Sequence, residues 1–309
     1  MMIAKETAAA VNHSDEYALY TPELGLNTSG ISRVMAQAFG NNSGVEFMNL
    51  WTAQNSSLVD YAIGVVTHDT NKANAARTSL SATFVPQFAQ TVSGFSHLPR
   101  ATLTELASTQ VLEDLVFIDD VFAGKLHALY ADLHTAYVHA SRFGDLLSNQ
   151  IATEFPDKFP GDPLDPSAST RVTLNLDLEE HSYLATMATD ATVSGRASDR
   201  TEALSAIMAN DDALRSVVQD NRFSLAWSFE IGSLDHYASN GDPASKSALI
   251  DTFVSQLAAS LRAPASAITY HENATIKVVD DQRSKAPTLA DDDRAAATSM
   301  QPIADSVEG

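Results

Sequence analysis

The chain contains no cysteine. Disulfides, thiolate-bound metals and cysteine nucleophiles are excluded together, and the redox compartment is left open. Basic residues are scarce as well: 19 Lys and Arg stand against 39 Asp and Glu, a formal net charge of −20. Affinity for nucleic acid is built from counterions released around Lys and Arg, and attraction to an anionic bilayer needs the same charges. Neither sequence-specific nucleic acid nor a membrane is an expected partner. Long apolar runs are missing too, since no segment approaches the roughly 18 uninterrupted apolar residues of a spanning helix. The opening "MMIAKETAAAVNHSDE" lacks the apolar stretch of a secretory signal. The expected location is the cytoplasm or a virion.

What is present is length and helical patterning. The 309 residues leave room for two domains and for a core that needs no staples. Residues 1–16 and 281–309 carry few large apolar groups and are expected to be a flexible N-terminal arm and a flexible acidic tail, because such segments cannot offset their ordering entropy alone. Between them "EFPDKFPGDPLDPSAS" (154–169) holds four prolines. Each fixes φ and disfavours helix in the residue before it, so this stretch is expected to be a seam.

The part before the seam, 17–153, is expected to be helical. "TSGISRVMAQAFGNN" and "GVEFMNLWTAQ" carry apolar residues at helical spacing, and a long helical region from about residue 107 should break near Gly124 or Gly144. The part after it, 170–280, changes rhythm. "RVTLNLDLE" and "RFSLAWSFEIG" alternate apolar and polar residues and are expected strands, with a third candidate in "SAITYHENATIKVVD". Helices are expected in "SDRTEALSAIMAN" and "SKSALIDTFVSQLAASLR". The expected fold class is therefore α+β, predominantly α: a helical N-terminal half, and a C-terminal half with a small sheet packed by helices. No repeat of fixed period stands out.

Candidate chemistry is sparse. "HALYADLHTAYVH" (127–139) places Asp120, His127 and His134 on one helical face, each two turns, about 10 Å, from the next. A single ion needs ligands three or four residues apart on one helix, so this face reads as solvated surface. Asp132 and His139 form a second pair with the same defect. "NGDPASKSALIDTF" (240–253) lacks the glycines of a phosphate loop and reads as a turn and a helix start. Asp235 and His236, adjacent in "SLDHYAS", are the best local acid–base cluster, while "HEN" (271–273) ranks below them as part of a strand. Trp51 and Trp227 sit in apolar patterns and are expected core residues. Neither a metal nor another cofactor is expected.

Two functions remain. The favoured one is a self-assembling structural protein, such as a viral coat or shell subunit, forming a homo-oligomer through its terminal arms and an exposed sheet edge. The alternative is an acid–base or metal-assisted hydrolase with a site assembled from dispersed residues: Asp235 with His236, or His127 or His134 with distant partners.

Overall fold

The computed structural model describes residues 1–12 and 14–307, and among these every regular element is helical. The expected sheet is not there. The chain divides into two compact units, Met1–Leu164 and Asp165–Gly309, and the division falls inside the proline-rich stretch.

The first unit runs through α1 (Met2–Val11), α2 (Tyr17–Phe39), α3 (Asn41–Val66), α4 (Thr70–Thr78), α5 (Val85–Ser96), α6 (Arg100–Ala123) and α7 (Leu126–Glu154). A π-helical turn, Ser79–Phe84, joins α4 to α5. Gly124 ends α6 in the left-handed region at φ 64°, a conformation glycine adopts without a Cβ clash. Gly144 lies inside α7 and breaks nothing. The core is aromatic: Phe47 stacks on Trp51 at 5.1 Å, and Phe84, Phe88 and Phe143 pack around them. The expected N-terminal arm contains α1, whose Met2, Ala4 and Ala9 are buried and whose Glu6 accepts a hydrogen bond from Thr21 at 2.6 Å.

The second unit comprises α8 (Pro166–Val193), α9 (Ala197–Val218), α10 (Asn221–Asn240), α11 (Pro243–Ala248), α12 (Val254–Leu261), α13 (Ala265–Ser284), α14 (Leu289–Thr298) and α15 (Gln301–Ser306). Here too a π-helical turn, Leu249–Phe253, joins α11 to α12. Starts are set by aspartates. Asp165 accepts from the backbone N–H groups of Ser167 and Ala168, Asp220 from Arg222, and Asp242 from Ala244.

All three expected strands are helical, and burial shows why. "RVTLNLDLE" lies in α8, where Leu174 and Leu178, four residues apart, are buried while Val172 is 47% exposed. "RFSLAWSFEIG" lies in α10, which buries Phe223, Ala226, Trp227 and Glu230 and leaves Leu225 72% exposed. The alternation hid a period of 3.6. Burying one large side chain contributes about 1.5–3 kcal/mol. A β-branched residue disfavours helix by less than about 0.7 kcal/mol, so packing decides. The third segment, in α13, buries Ile268, His271, Glu272, Thr275 and Ile276 in the same way.

The stretch expected as a flexible tail contains the end of α13 together with α14 and α15. Leu289, Ala296, Met300 and Ile303 are buried, the last two in one core with Leu174, Trp227 and Phe253. Residues 308 and 309 lie outside the described residues.

Candidate metal centre

The candidates read from sequence go to different places. His127 and His134 are exposed on α7. Asp120 is buried and accepts from Lys125 at 3.2 Å, and the carboxyl group of Asp132 hydrogen-bonds to it. His139 is buried, with Nε2 3.1 Å from the Leu106 carbonyl. Asp235 and His236 do not form a dyad. Asp235 accepts two N–H bonds from Arg200, at 2.7 and 2.5 Å, and one O–H bond from Thr192. Arg200 holds its carboxyl below the usual range. His236 is exposed and faces Ser245 at 2.7 Å across to α11.

The site that the structure does assemble lies in the second unit, from His271 and Glu272, which the sequence ranks below Asp235 and His236, and from Glu230, which no sequence motif singles out. Glu230 of α10 and His271 and Glu272 of α13 are each 0% exposed. One ligand atom from each lies within 4.8 Å of the other two. Their position follows from helical register. Glu230 shares a face with Phe223, Trp227 and Leu234, and His271 and Glu272 share one with Ile268, Thr275 and Ile276. An ionisable residue in the middle of such a stripe must enter the core.

The tautomer of His271 can be read from its neighbours. Nδ1 lies 3.1 Å from the Ala296 carbonyl and 2.9 Å from Ser299 Oγ. A carbonyl only accepts, so Nδ1 carries the proton and Nε2 presents its lone pair. Burial pushes the imidazole down to about 4, so it is neutral at physiological pH. The Thr275 hydroxyl lies 3.3 Å from Nε2 and closer, at 3.1 Å, to the carbonyl of His271. A histidine anchored through one nitrogen to a carbonyl, with the lone pair of the other facing the two carboxyls, is the usual arrangement of a metal ligand.

The carboxylates complete the picture. Neither oxygen of Glu272 meets an N–H or O–H donor, and the same holds for Glu230 Oε1. Glu230 Oε2 accepts from His181 Nε2 of α8 at 3.0 Å. His181 in turn stacks on Trp227, with ring centroids 4.3 Å apart and planes 12° apart. Burial, together with the charge and hydrogen bonding of Glu230, raises the Glu272 carboxyl well above its usual range. Two facing buried carboxylates with one donor between them cost several kcal/mol unless a proton or a cation lies between them. A ladder of buried side-chain hydrogen bonds ties α8 to α13 and α14. Thr186 donates to Asp293 at 2.7 Å, Thr189 donates to Gln282 at 2.9 Å, and Gln282 donates to the Thr186 carbonyl at 2.8 Å. No protein-family model, curated protein or solved structure matches this chain.

Chemically, two carboxylate oxygens and one imidazole nitrogen suit a divalent first-row ion such as Mn²⁺, Fe²⁺ or Zn²⁺. Bonds of about 2.1 Å bring neighbouring ligands to about 3 Å of each other, so the three side chains need only close slightly.

Proposed function

We propose that this protein is a metalloprotein whose second unit holds one divalent transition-metal ion between Glu230, His271 and Glu272. One observation carries the reading: three fully buried side chains bring ligand atoms within 4.8 Å of one another, and three of their four carboxylate oxygens meet no N–H or O–H donor. A doubly charged ion neutralises both carboxylates at once, which one shared proton does not. His181 supports the same reading, because a histidine that donates to a ligating carboxylate holds that carboxylate in a fixed orientation.

Of the two functions left open by the sequence, the metal-assisted hydrolase is the one this donor set serves. Glu230, His271 and Glu272 would hold the ion as three protein ligands, and a bound Zn²⁺ would supply an activated water, whose pKa such an ion lowers to about 7. The assembly reading rested on loose arms, a proline-rich seam, a polar surface without a catalytic motif, and an exposed sheet edge. The described ends are helices with buried faces, and no strand occurs among the described residues.

The test is metal analysis of purified protein, stripped with chelator and reloaded separately with Mn²⁺, Fe²⁺ and Zn²⁺. We expect one ion per chain, a melting temperature raised by the ion, and loss of both effects in Glu272→Gln and His271→Ala. A stripped, folded protein that binds none of the three ions in calorimetry overturns the proposal.

A further inference from the structure

The two π-helical turns lie in segments that read alike. "RTSLSATFVPQFA" (77–89) and "KSALIDTFVSQLA" (246–258) share Leu, Thr, Phe, Val, Gln and Ala in one register, with a cation opening each. The resemblance continues in three dimensions. Arg77 lies over the ring of Tyr61 at 5.1 Å, and Lys246 over that of Tyr237 at 5.7 Å. Tyr61 donates to Asp119 at 2.7 Å, and Tyr237 to Asp280 at 2.5 Å. The helix after each π-turn ends in a left-handed residue, His97 or Arg262. The next starts behind a proline, Pro99 or Pro264, and ends at a second left-handed residue, Gly124 or Lys285.

These anchors fix a residue correspondence. On α3 and α10, Phe47, Trp51, Leu58 and Tyr61 match Phe223, Trp227, Leu234 and Tyr237. Phe47 pairs with Trp51 at 5.1 Å, as Phe223 pairs with Trp227 at 5.2 Å. The same register sets Gln54 against Glu230. On α6 and α13, Asp119 and Gly124 match Asp280 and Lys285, which sets Gln110 against His271 and Val111 against Glu272. Burial follows this register. Val111, Leu115, Phe117 and Ile118 are buried, as are Glu272, Ile276, Val278 and Val279. A carboxyl pair recurs as well, Asp120 with Asp132 and Asp281 with Asp292.

We propose that the two units are copies of one helical unit, and that the first has lost the divalent-cation site which the second keeps. Gln54, Gln110 and Val111 stand where the second unit has Glu230, His271 and Glu272. The replacements have a common logic. Two carboxylates and a bare imidazole nitrogen become two amides and an isopropyl group, which need no cation to be buried. The loss of the site rests on the metal reading above. The duplication itself does not.

The experiment restores the site. In Gln54→Glu/Gln110→His/Val111→Glu, metal analysis and calorimetry with the same ions should give two ions per chain against one in the parent. In the same triple variant carrying Glu272→Gln, one ion should remain, held by the first unit. A triple variant that melts cooperatively yet binds no more metal than the parent overturns the loss of a site. Since three substitutions in a core can prevent folding, a second protein carries residues 246–258 in place of 77–89. It should fold with a cooperative melt, and failure to fold overturns the duplication. If the unaltered protein binds no ion, the metal reading fails alone, and the segment exchange still judges the duplication.

Discussion

Asp114 and Glu272 are buried acids of different kinds. Asp114 has one donor, Gln110 Nε2 at 2.8 Å, and burial pushes its carboxyl up to about 7. The folded chain then holds a proton that the unfolded chain releases near pH 4. The stabilisation is complete in acid and is lost as pH rises through about 7. Asp114→Asn should raise stability more at pH 8 than at pH 5, the difference being on the order of 3 kcal/mol. Denaturant melts at the two pH values check this, and an equal effect at both would show that Asp114 does not titrate in that range. Glu272 has no donor at all, and its raised carboxyl has the same sign. His271 has the opposite sign: pushed down to about 4, it stabilises the fold above about pH 6.5 and loses that contribution as pH falls toward 4. Above about pH 6.5 the contribution of His271 is constant, so any further fall in the stability of the metal-free protein comes from the acids, by at most about 1.4 kcal/mol per pH unit for Glu272, and Glu272→Gln should flatten it. Thermal melts in EDTA from pH 6.5 upward measure the slope.

Helix in the first unit was readable because its apolar residues recur without alternation, and the break at Gly124 followed from glycine's backbone freedom. The second unit misled because Val172, Leu174, Leu176 and Leu178, and likewise Phe223, Leu225, Trp227 and Phe229, alternate over a span too short to separate periods of 2 and 3.6. The cue that would have decided it lies upstream. An aspartate followed by Pro166 at the first helical position marks the start of α8. The centre was missed for the same reason: with α13 read as a strand, "HEN" pointed to alternate faces instead of entering a core beside Ile268 and Ile276. The end of the chain misled through composition, because α14 and α15 bury mostly alanine. Leu289 and Ile303 are the large apolar exceptions, and Ile303→Ala should cost about 2–5 kcal/mol in the second unit's melt. Limited proteolysis should cut the unaltered protein nowhere in 281–306. Early cleavage there would show that α14 and α15 are not docked in solution.

At the scale of the molecule, acid is distributed in two ways. Most of the −20 charge lies on the surface, where water screens it and where it opposes association with polyanions. A few carboxyls lie inside, and the second unit concentrates them where α10 and α13 face each other. Composition could show the first population and was silent about the second, because interior acid is defined by register rather than by number. The same division assigns an optical role to the stack of Trp227 on His181. The imidazole lies face to face with the indole, so the emission of Trp227 is sensitive to the surroundings of the histidine bonded to Glu230. The chain's other indole, Trp51, packs against phenyl rings in the first unit, and Trp51→Phe leaves a single emitter. Binding of an ion between Glu230, His271 and Glu272, as proposed, would then be followed in that protein by its own fluorescence, with no label attached.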